Sequence, residues 1–290
     1  MPYFTRTLAV LVVALVAAQF ANAQSAGADR LAENQRFMRI ASQPTGILIP
    51  LYLYPADIHT NKTYNRLIDL KLDHPTVPVC VILNPASGPG ASRDANYAKA
   101  VDRLQGAGIV VLGYVSTVYA DREAGDIKSD INRWQEFYPR TNGIFLDEMT
   151  NDLGAEGEAH IKHYAALTQF CHTEGFWPVF ANPGTGTPGE YFAGRAADVI
   201  VIHEAGDYPN ETTLKGDYFG GYSDYPPFTR AALVHSQSKW NEEAFSIMRK
   251  YVRWVYVTDD IYAQPTDNPW DSLTTHIEQT FQSLERAISQ

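Results

Sequence analysis

Three acidic side chains stand where apolar segments of the chain end. Asp147 and Glu148 follow the apolar residues of GIFLDE, and Glu204 closes the segment DVIVIHE. A carboxylate beside apolar neighbours is costly unless it is paired or takes part in chemistry. Two carboxyl groups facing one substrate are the minimum equipment for glycoside hydrolysis, in which one stays ionised and the other, with a raised pKa, donates a proton.

Two of the three acids also have a structural explanation. Asp147 could cap the following helix, and Glu204 could form a salt bridge with an Arg or Lys of a loop. Adjacent residues of a strand point to opposite faces, so we expect Asp147 and Glu148 to diverge. Glu148 would then enter the site through the following loop or support it from behind. The expected catalytic couple is Asp147 with Glu204.

Polar and aromatic side chains stand at comparable places along the chain, at or near the ends of other apolar segments. Aromatic rings stack on the faces of pyranose sugars, while amides and carboxylates bind sugar hydroxyl groups. This set of residue types therefore indicates a carbohydrate substrate. The candidate substrate-binding residues are Tyr52, Tyr54, Asn84, Tyr114, Asn182 and His235.

Other chemistries lack their motifs. The chain has no GxSxG elbow, no HExxH and no Cys/His cluster with zinc-site spacing, so we expect neither a metal nor a cofactor. This disfavours a metal-dependent polysaccharide deacetylase. Cys80 and Cys171 both lie in apolar patterns, which predicts two buried thiols rather than a disulfide.

Eight short apolar runs must position these residues. Nearly continuous hydrophobicity is what a parallel strand buried on both faces requires. Amphipathic stretches separate most of the runs, although helices after the first, fifth and sixth are less clear. The pattern predicts a single-domain α/β protein, a (β/α)8 TIM-type barrel, whose functional residues lie where strands end. An open doubly wound sheet is the alternative, but no GxGxxG follows the first run. The runs are Gly46–Tyr54, Val77–Asn84, Ile109–Ser116, Gly143–Glu148, Trp177–Asn182, Asp198–Glu204, Arg230–Ser236 and Val252–Thr258.

The first residues predict export. Residues 1–23 combine the basic Arg6, an apolar run and an A-x-A site, the pattern of a signal peptide. The run is shorter than the about 20 residues that span a bilayer, although an uncleaved anchor or a buried helix would be the alternative. We expect a polar leader at 24–43, a catalytic barrel over 44–290 and no stable membrane span after cleavage. The protein would be secreted or extracellular, or periplasmic in a Gram-negative host.

The net charge of the chain limits the kinds of partner that it can bind. After cleavage 22 basic residues face 33 acidic ones, because the signal segment holds one of the 23 basic residues and no acid. The net charge of about −11 argues against a nucleic-acid partner and is compatible with neutral or cationic substrates. We expect a monomer that acts on a polysaccharide.

Several segments resemble, in type and order, those of the spherulin-4-like proteins, which are also grouped as glycoside hydrolase family 135. They are LYLYP, ILNPASGPG, GYVSTVYADR, GIFLDE and VIVIHE, and the resemblance covers about residues 46 to 260 or beyond. It implies a (β/α)8 barrel, secretion and endo-hydrolysis of α-1,4-linked N-acetylgalactosamine in galactosamine-containing exopolysaccharide. The functional acids of the family fall by motif on Asp147, Glu148 and Glu204. We assign Asp147 as nucleophile, Glu204 as acid/base and Glu148 as a supporting or substrate-binding acid.

The chain departs from the family's pattern at two places. Ala86 stands where members often carry Asn before SGPG, and a Trp that often follows the first YP is replaced by the stretch from Ala56. These departures bear on the exact sugar and the number of subsites. A non-catalytic carbohydrate-binding or matrix-associated spherulin-like protein on the same barrel is the alternative function, since fold does not fix function. Retention of all three acids favours the hydrolase.

Overall fold

Eight parallel strands follow one another around a closed barrel. The computed structural model describes residues 44–264 and 266–289. The last strand pairs with the first, with Gly46 opposite Trp254, which confirms the predicted (β/α)8 barrel. The strands are Gly46–Pro50 (β1), Val79–Leu83 (β2), Val110–Ser116 (β3), Gly143–Asp147 (β4), Val179–Asn182 (β5), Val199–Ala205 (β6), Arg230–Val234 (β7) and Trp254–Val257 (β8).

Helices follow the strands along the chain. Asn61 and Asp94 begin the first two helices by accepting hydrogen bonds from backbone N–H groups of the first turn, as capping residues do. The helix after β1 is therefore as well formed as the others, although its sequence pattern is weak. The helices are Lys62–Asp73 (α1), Ala95–Gly106 (α2), Ala124–Phe137 (α3), Gly154–Thr173 (α4), Gly189–Ala193 (α5), Glu211–Lys215 (α6), Glu242–Tyr251 (α7) and Ile277–Ile288 (α8).

The segments after β5 and β6 differ from the rest of the barrel. Each carries a helix of only five residues, α5 and α6. Much of the chain there forms loops, including a short 3-10 turn at Asp217–Phe219. Loops at the carboxyl ends of barrel strands are where binding groups are built. This side of the barrel mouth is therefore bordered by loops.

Strand register places the candidate residues side by side. Ser116 of β3 lies opposite Asp147 of β4, which in turn lies opposite Asn182 of β5. In β6 the pairing with β7 shifts between Val201 and His203. A bulge of this kind re-aims the side chains that follow it, and here it precedes Glu204.

Several other expectations can be compared with the described residues. Cys80 and Cys171 are buried free thiols, as predicted. Within 44–264 and 266–289 no helix has both the length and the apolar composition needed to cross a bilayer. The predicted signal peptide and polar leader, residues 1–23 and 24–43, lie outside the described residues.

Candidate active site

Asp147 is the last residue of β4 and lies in the mouth of the barrel. Its Oδ1 accepts a hydrogen bond of 2.8 Å from Asn182 Nδ2, and it also accepts one from the hydroxyl of Tyr114. Burial raises the pKa of Asp147, while these hydrogen bonds act in the opposite direction. The helix-capping explanation is wrong, because the residue at the N-cap of α4 is Leu153.

Glu204 belongs to β6, two strands away from Asp147 in the barrel mouth. Its Oε2 accepts from Asn182 Nδ2 at 2.7 Å and its Oε1 from the indole Nε1 of Trp270 at 3.1 Å. Burial, followed by the negative charge of Asp147, raises the pKa of Glu204 to about 7. Among the described residues no basic side chain forms an ion pair with Glu204, so the salt-bridge explanation is wrong too.

One amide group joins the two acids. Asn182 is only 5% exposed, and its Nδ2 donates one hydrogen to each carboxylate. The two bonds measure 2.8 and 2.7 Å, so Asp147 Oδ1 and Glu204 Oε2 are no farther apart than the sum of these distances, 5.5 Å. Retaining glycosidases hold their carboxyl groups about 5 to 5.5 Å apart and inverting ones about 6.5 to 9.5 Å apart. This upper bound lies below the range of inverting pairs and is compatible with a retaining pair.

Glu148 does not diverge from Asp147 as the alternation of a strand predicts. The strand ends at Asp147, and Glu148 adopts a left-handed backbone conformation with φ of 58°. This turns its side chain into the same cavity as Asp147, so Glu148 enters through the loop. Its carboxylate accepts hydrogen bonds from the Ser116 hydroxyl and from the Val118 N–H.

The loop after β3 holds this geometry in place. Val118, Tyr119 and Ala120 are consecutive non-glycine residues with positive φ, a conformation that costs about 1–2 kcal/mol per residue. The Tyr119 N–H donates to the Glu148 carbonyl oxygen at 2.8 Å, and the Thr117 hydroxyl donates to the same oxygen at 2.8 Å. Strained backbone persists where its surroundings fix it, most often at functional sites. The result is a tyrosine ring held over the barrel mouth.

These groups line a cavity of about 250 Å³, which we call the central cavity. No basic side chain of the described chain lines it. Burial, and then the charge of Asp147, keeps the pKa of Tyr52 and of Tyr114 well above the usual tyrosine value. Both phenols therefore remain hydrogen-bond donors. The lining residues include Tyr52, Tyr119, Asp147, Glu148, Asn182, Glu204 and Trp270.

The predicted substrate-binding residues fall into two groups. Tyr52 and Asn182 line the central cavity, and Tyr114 lies beneath it in contact with Asp147. The other three lie outside its lining: Tyr54 is an exposed rim residue bonded to Asp94 and Asn96, Asn84 accepts from Gly88 N–H within its own loop, and His235 packs against Trp270.

Sequence reasoning missed two lining residues, Tyr119 and Trp270. Tyr119 stands three residues beyond Ser116, the end of the predicted strand, on a left-handed turn of non-glycine residues, and the signal that included it was the family-resembling segment GYVSTVYADR. Trp270 comes from the segment between β8 and α8, where its backbone carbonyl accepts from the Tyr52 N–H at 2.9 Å. The only available signal was a lone tryptophan in a polar stretch.

Comparison with known proteins extends these observations. The model of the spherulation-specific family 4 matches residues 46–284. The chain belongs to this family. Spherulin-4 of Physarum polycephalum is 29% identical over 180 residues, and the match spans 61% of this chain but only 49% of that protein. The predicted family membership is therefore confirmed.

Solved structures share the barrel. Aspergillus clavatus Sph3, crystallised with GalNAc, superposes with a TM-score of 0.67 at 23% identity, over 84% of this chain and 99% of Sph3. An endo-beta-N-acetylglucosaminidase from Cordyceps militaris gives a TM-score of 0.50 at 11% identity, over 86% and 93% of the two chains. At these identities the likeness shows the fold alone, which is one that glycosidases use.

No group of three or more His, Cys, Asp or Glu side chains is arranged to hold a metal ion within 44–264 and 266–289. The three acids of the central cavity contact amide, indole and hydroxyl donors instead. Carboxyl groups placed in this way can transfer protons and act as nucleophiles.

Proposed function

We propose that this protein is an exported glycoside hydrolase that cleaves within α-1,4-linked N-acetylgalactosamine or galactosamine-containing exopolysaccharide. The observation that carries the proposal is the pair Asp147 and Glu204, held on one amide at no more than 5.5 Å. Membership in the spherulation-specific family 4 supports it. So does the barrel shared with Sph3, whose structure contains GalNAc.

The roles follow from the surroundings of each acid. Glu204 has a pKa raised to about 7, so near neutral pH much of it carries the proton that a general acid must donate. Asp147 accepts hydrogen bonds from Tyr114 and Asn182 that favour its ionised form. When environments separate the pKa values of two carboxyl groups, the higher one serves as acid and the lower one as nucleophile.

The reaction proceeds by double displacement. Asp147 attacks the anomeric carbon and the bond from that carbon to the glycosidic oxygen breaks, while Glu204 protonates that oxygen. Esterified Asp147 no longer carries a negative charge, so one cause of the raised pKa of Glu204 disappears. Glu204 then accepts a proton from water, which hydrolyses the ester and restores both groups.

A protein nucleophile suits this substrate class. In an α-linked N-acetylgalactosamine unit the acetamido group lies on the same face of the ring as the leaving oxygen. Its carbonyl oxygen cannot attack from the opposite face, so substrate-assisted hydrolysis is not available. The carboxylate of Asp147 fills that role.

The test measures reducing ends released from α-1,4-linked N-acetylgalactosamine oligosaccharides by residues 24–290. Asp147→Asn should lower the rate by several orders of magnitude, because the amide is not a nucleophile. Asp69→Asn, an exposed change on α1, is the matched control and should retain the wild-type rate. If the wild-type protein binds these oligosaccharides but releases no reducing ends, a non-catalytic carbohydrate-binding role is favoured instead.

A further inference from the structure

A second cavity lies directly beside the central one, between the segments that follow β5 and β6. It measures about 310 Å³ and shares Gly184 and Glu204 with the central cavity. This volume falls at the lower end of the range for small-molecule sites, about 300–1,000 Å³. Asp147 and Glu148 border only the central cavity. We call the second one the side cavity.

The position of Glu204 indicates which of the two sugars at the scissile bond would lie in the side cavity. A glycosidic oxygen that receives a proton from Glu204 has one sugar on each side of it. The sugar that is attacked must lie against Asp147, which places it in the central cavity. The sugar that keeps the oxygen must extend past Glu204, away from Asp147. The side cavity lies there.

An aromatic wall borders the side cavity. Tyr218 is 74% exposed, unusually high for so large a ring, and lies on the 3-10 turn Asp217–Phe219. Its neighbour Phe219 packs so closely on Gly186 that a Cβ atom there would lie 2.6 Å from the ring. The wall therefore presents one ring to solvent while the adjacent ring fixes it to the loop after β5.

The turn that carries Tyr218 is held in one shape. Gly216 has φ of 71°, and a Cβ atom on it would lie 2.6 Å from the Tyr222 ring. The backbone N–H groups of Phe219 and Gly221 both donate to the Gly216 carbonyl oxygen, at 2.8 and 2.9 Å. A backbone held in place before binding loses little conformational entropy when a ligand stacks on the ring that it carries.

Polar groups complete the lining. His203 contacts the Asp207 carbonyl oxygen through Nε2 at 2.8 Å. A carbonyl oxygen only accepts, so Nε2 carries a hydrogen and Nδ1 is the nitrogen left to accept from a ligand hydroxyl. Thr185 and Thr213 add hydroxyl groups to the lining. An aromatic face with hydroxyl and imidazole groups is suited to a sugar ring.

We propose that the side cavity is the subsite for the leaving-group sugar, an amino-sugar unit that stacks on Tyr218 while Glu204 protonates its glycosidic oxygen. The proposal rests on the proposed hydrolase function. It adds a specific residue, Tyr218, that makes the enzyme prefer a chain continuing beyond the scissile bond over a substrate with a small leaving group.

The experiment compares an α-1,4-linked N-acetylgalactosamine oligosaccharide with α-N-acetylgalactosaminyl fluoride, whose leaving group cannot fill the side cavity. Tyr218→Ala should lower kcat/KM for the oligosaccharide about tenfold, mainly through KM. It should leave hydrolysis of the fluoride within about twofold of wild type, and Tyr218→Trp should restore most of the oligosaccharide activity. Leu72→Ala is the matched control, because Leu72 is an exposed apolar residue near the end of α1.

Equal losses on both substrates, or no loss on either, would overturn the subsite. If the wild-type protein cleaves neither substrate, the proposed hydrolase function is wrong. Calorimetric titration with the oligosaccharide then tests separately whether the side cavity binds a sugar. Weaker binding of the oligosaccharide by Tyr218→Ala than by Leu72→Ala would still support a sugar site in the side cavity, whereas equal affinities would contradict such a site.

Discussion

Replacing Asn182 by Ala removes the amide group that both candidate acids share. In the wild-type protein this amide donates to Asp147 and to Glu204, and both bonds favour the ionised carboxylates. Without them the pKa of each acid rises further. Asp147 must be ionised and Glu204 protonated for the first step, so activity is confined between their two apparent pKa values.

The magnitude follows from the hydrogen bonds. A hydrogen bond to a charged group contributes about 1.5–3 kcal/mol, and one pKa unit corresponds to about 1.36 kcal/mol. Each limb of the pH profile should therefore move upward by about one unit, after allowance for water that replaces the buried amide. Because the pKa of Glu204 is raised to about 7, we expect the alkaline limb of the wild-type protein near that value, and the limb of the variant should approach about 8.

The assay is kcat/KM against pH for the oligosaccharide substrate. Asn142→Ala is the matched control: Asn142 precedes β4 at the other end of the barrel, and its Oδ1 accepts two hydrogen bonds of 2.8 Å, from Gln105 and Val111. The control variant also loses two hydrogen bonds of 2.8 Å, but both limbs of its pH profile should stay where they are in the wild-type protein. If a folded Asn182→Ala variant keeps both limbs in place, the amide does not set the ionisation of the acids and the reasoning fails.

Three further predictions concern single groups of the site. The pKa of Glu204 lies above its unfolded value of 4.5, so this residue lowers stability as pH rises from 4.5 to about 7. In calorimetric melting, the free energy of unfolding of Glu204→Gln should exceed that of the wild-type protein by up to about 3 kcal/mol at pH 8 and by little at pH 4. An equal difference at both pH values would contradict this reasoning. The exposed change Glu136→Gln is the control. Trp270→Phe removes the indole donor to Glu204 and should raise only the alkaline limb of the pH profile; movement of the acid limb would argue against separate roles. With 5-fluoro-α-N-acetylgalactosaminyl fluoride, mass spectrometry should find the label on Asp147, whereas a label on Glu204 would reverse the two roles.

The acids of the site were predictable because a buried barrel strand tolerates few charges. GIFLDE and DVIVIHE each place a carboxylate at the end of an otherwise apolar run, and that contrast is visible without a structure. The same contrast pointed to Asn182 and Tyr114. Burial on both faces imposes hydrophobicity on such strands, so any polar residue at their ends stands out.

The loops were less predictable because their signals are weak. Tyr54 and Asn84 follow apolar runs, yet Tyr54 lies on the rim and Asn84 orders its own loop. Tyr119 and Trp270 line the cavity from segments without periodic patterning. Where a loop carries a side chain depends on contacts with distant parts of the chain, and these are not encoded in local spacing.

The orientation of Glu148 shows the same limit. Alternation along an extended strand predicts that it faces away from Asp147, and this holds only while the strand continues. Here the strand ends, and contacts with Thr117 and Tyr119 hold Glu148 in a left-handed conformation. Tertiary hydrogen bonds thereby overrode a local rule.

The amino-acid sequence by itself determined the barrel, the family and the three acids, because apolar periodicity and strand-end charges are local properties of the chain. Only the tertiary structure decided that Asp147 and Glu204 share the amide of Asn182, that a bulge precedes Glu204 and that Tyr119, Trp270 and Tyr218 border the site. Distances between strands, the burial that raises a pKa and the conformations of loops arise from residues far apart in sequence. They become defined only when the barrel closes.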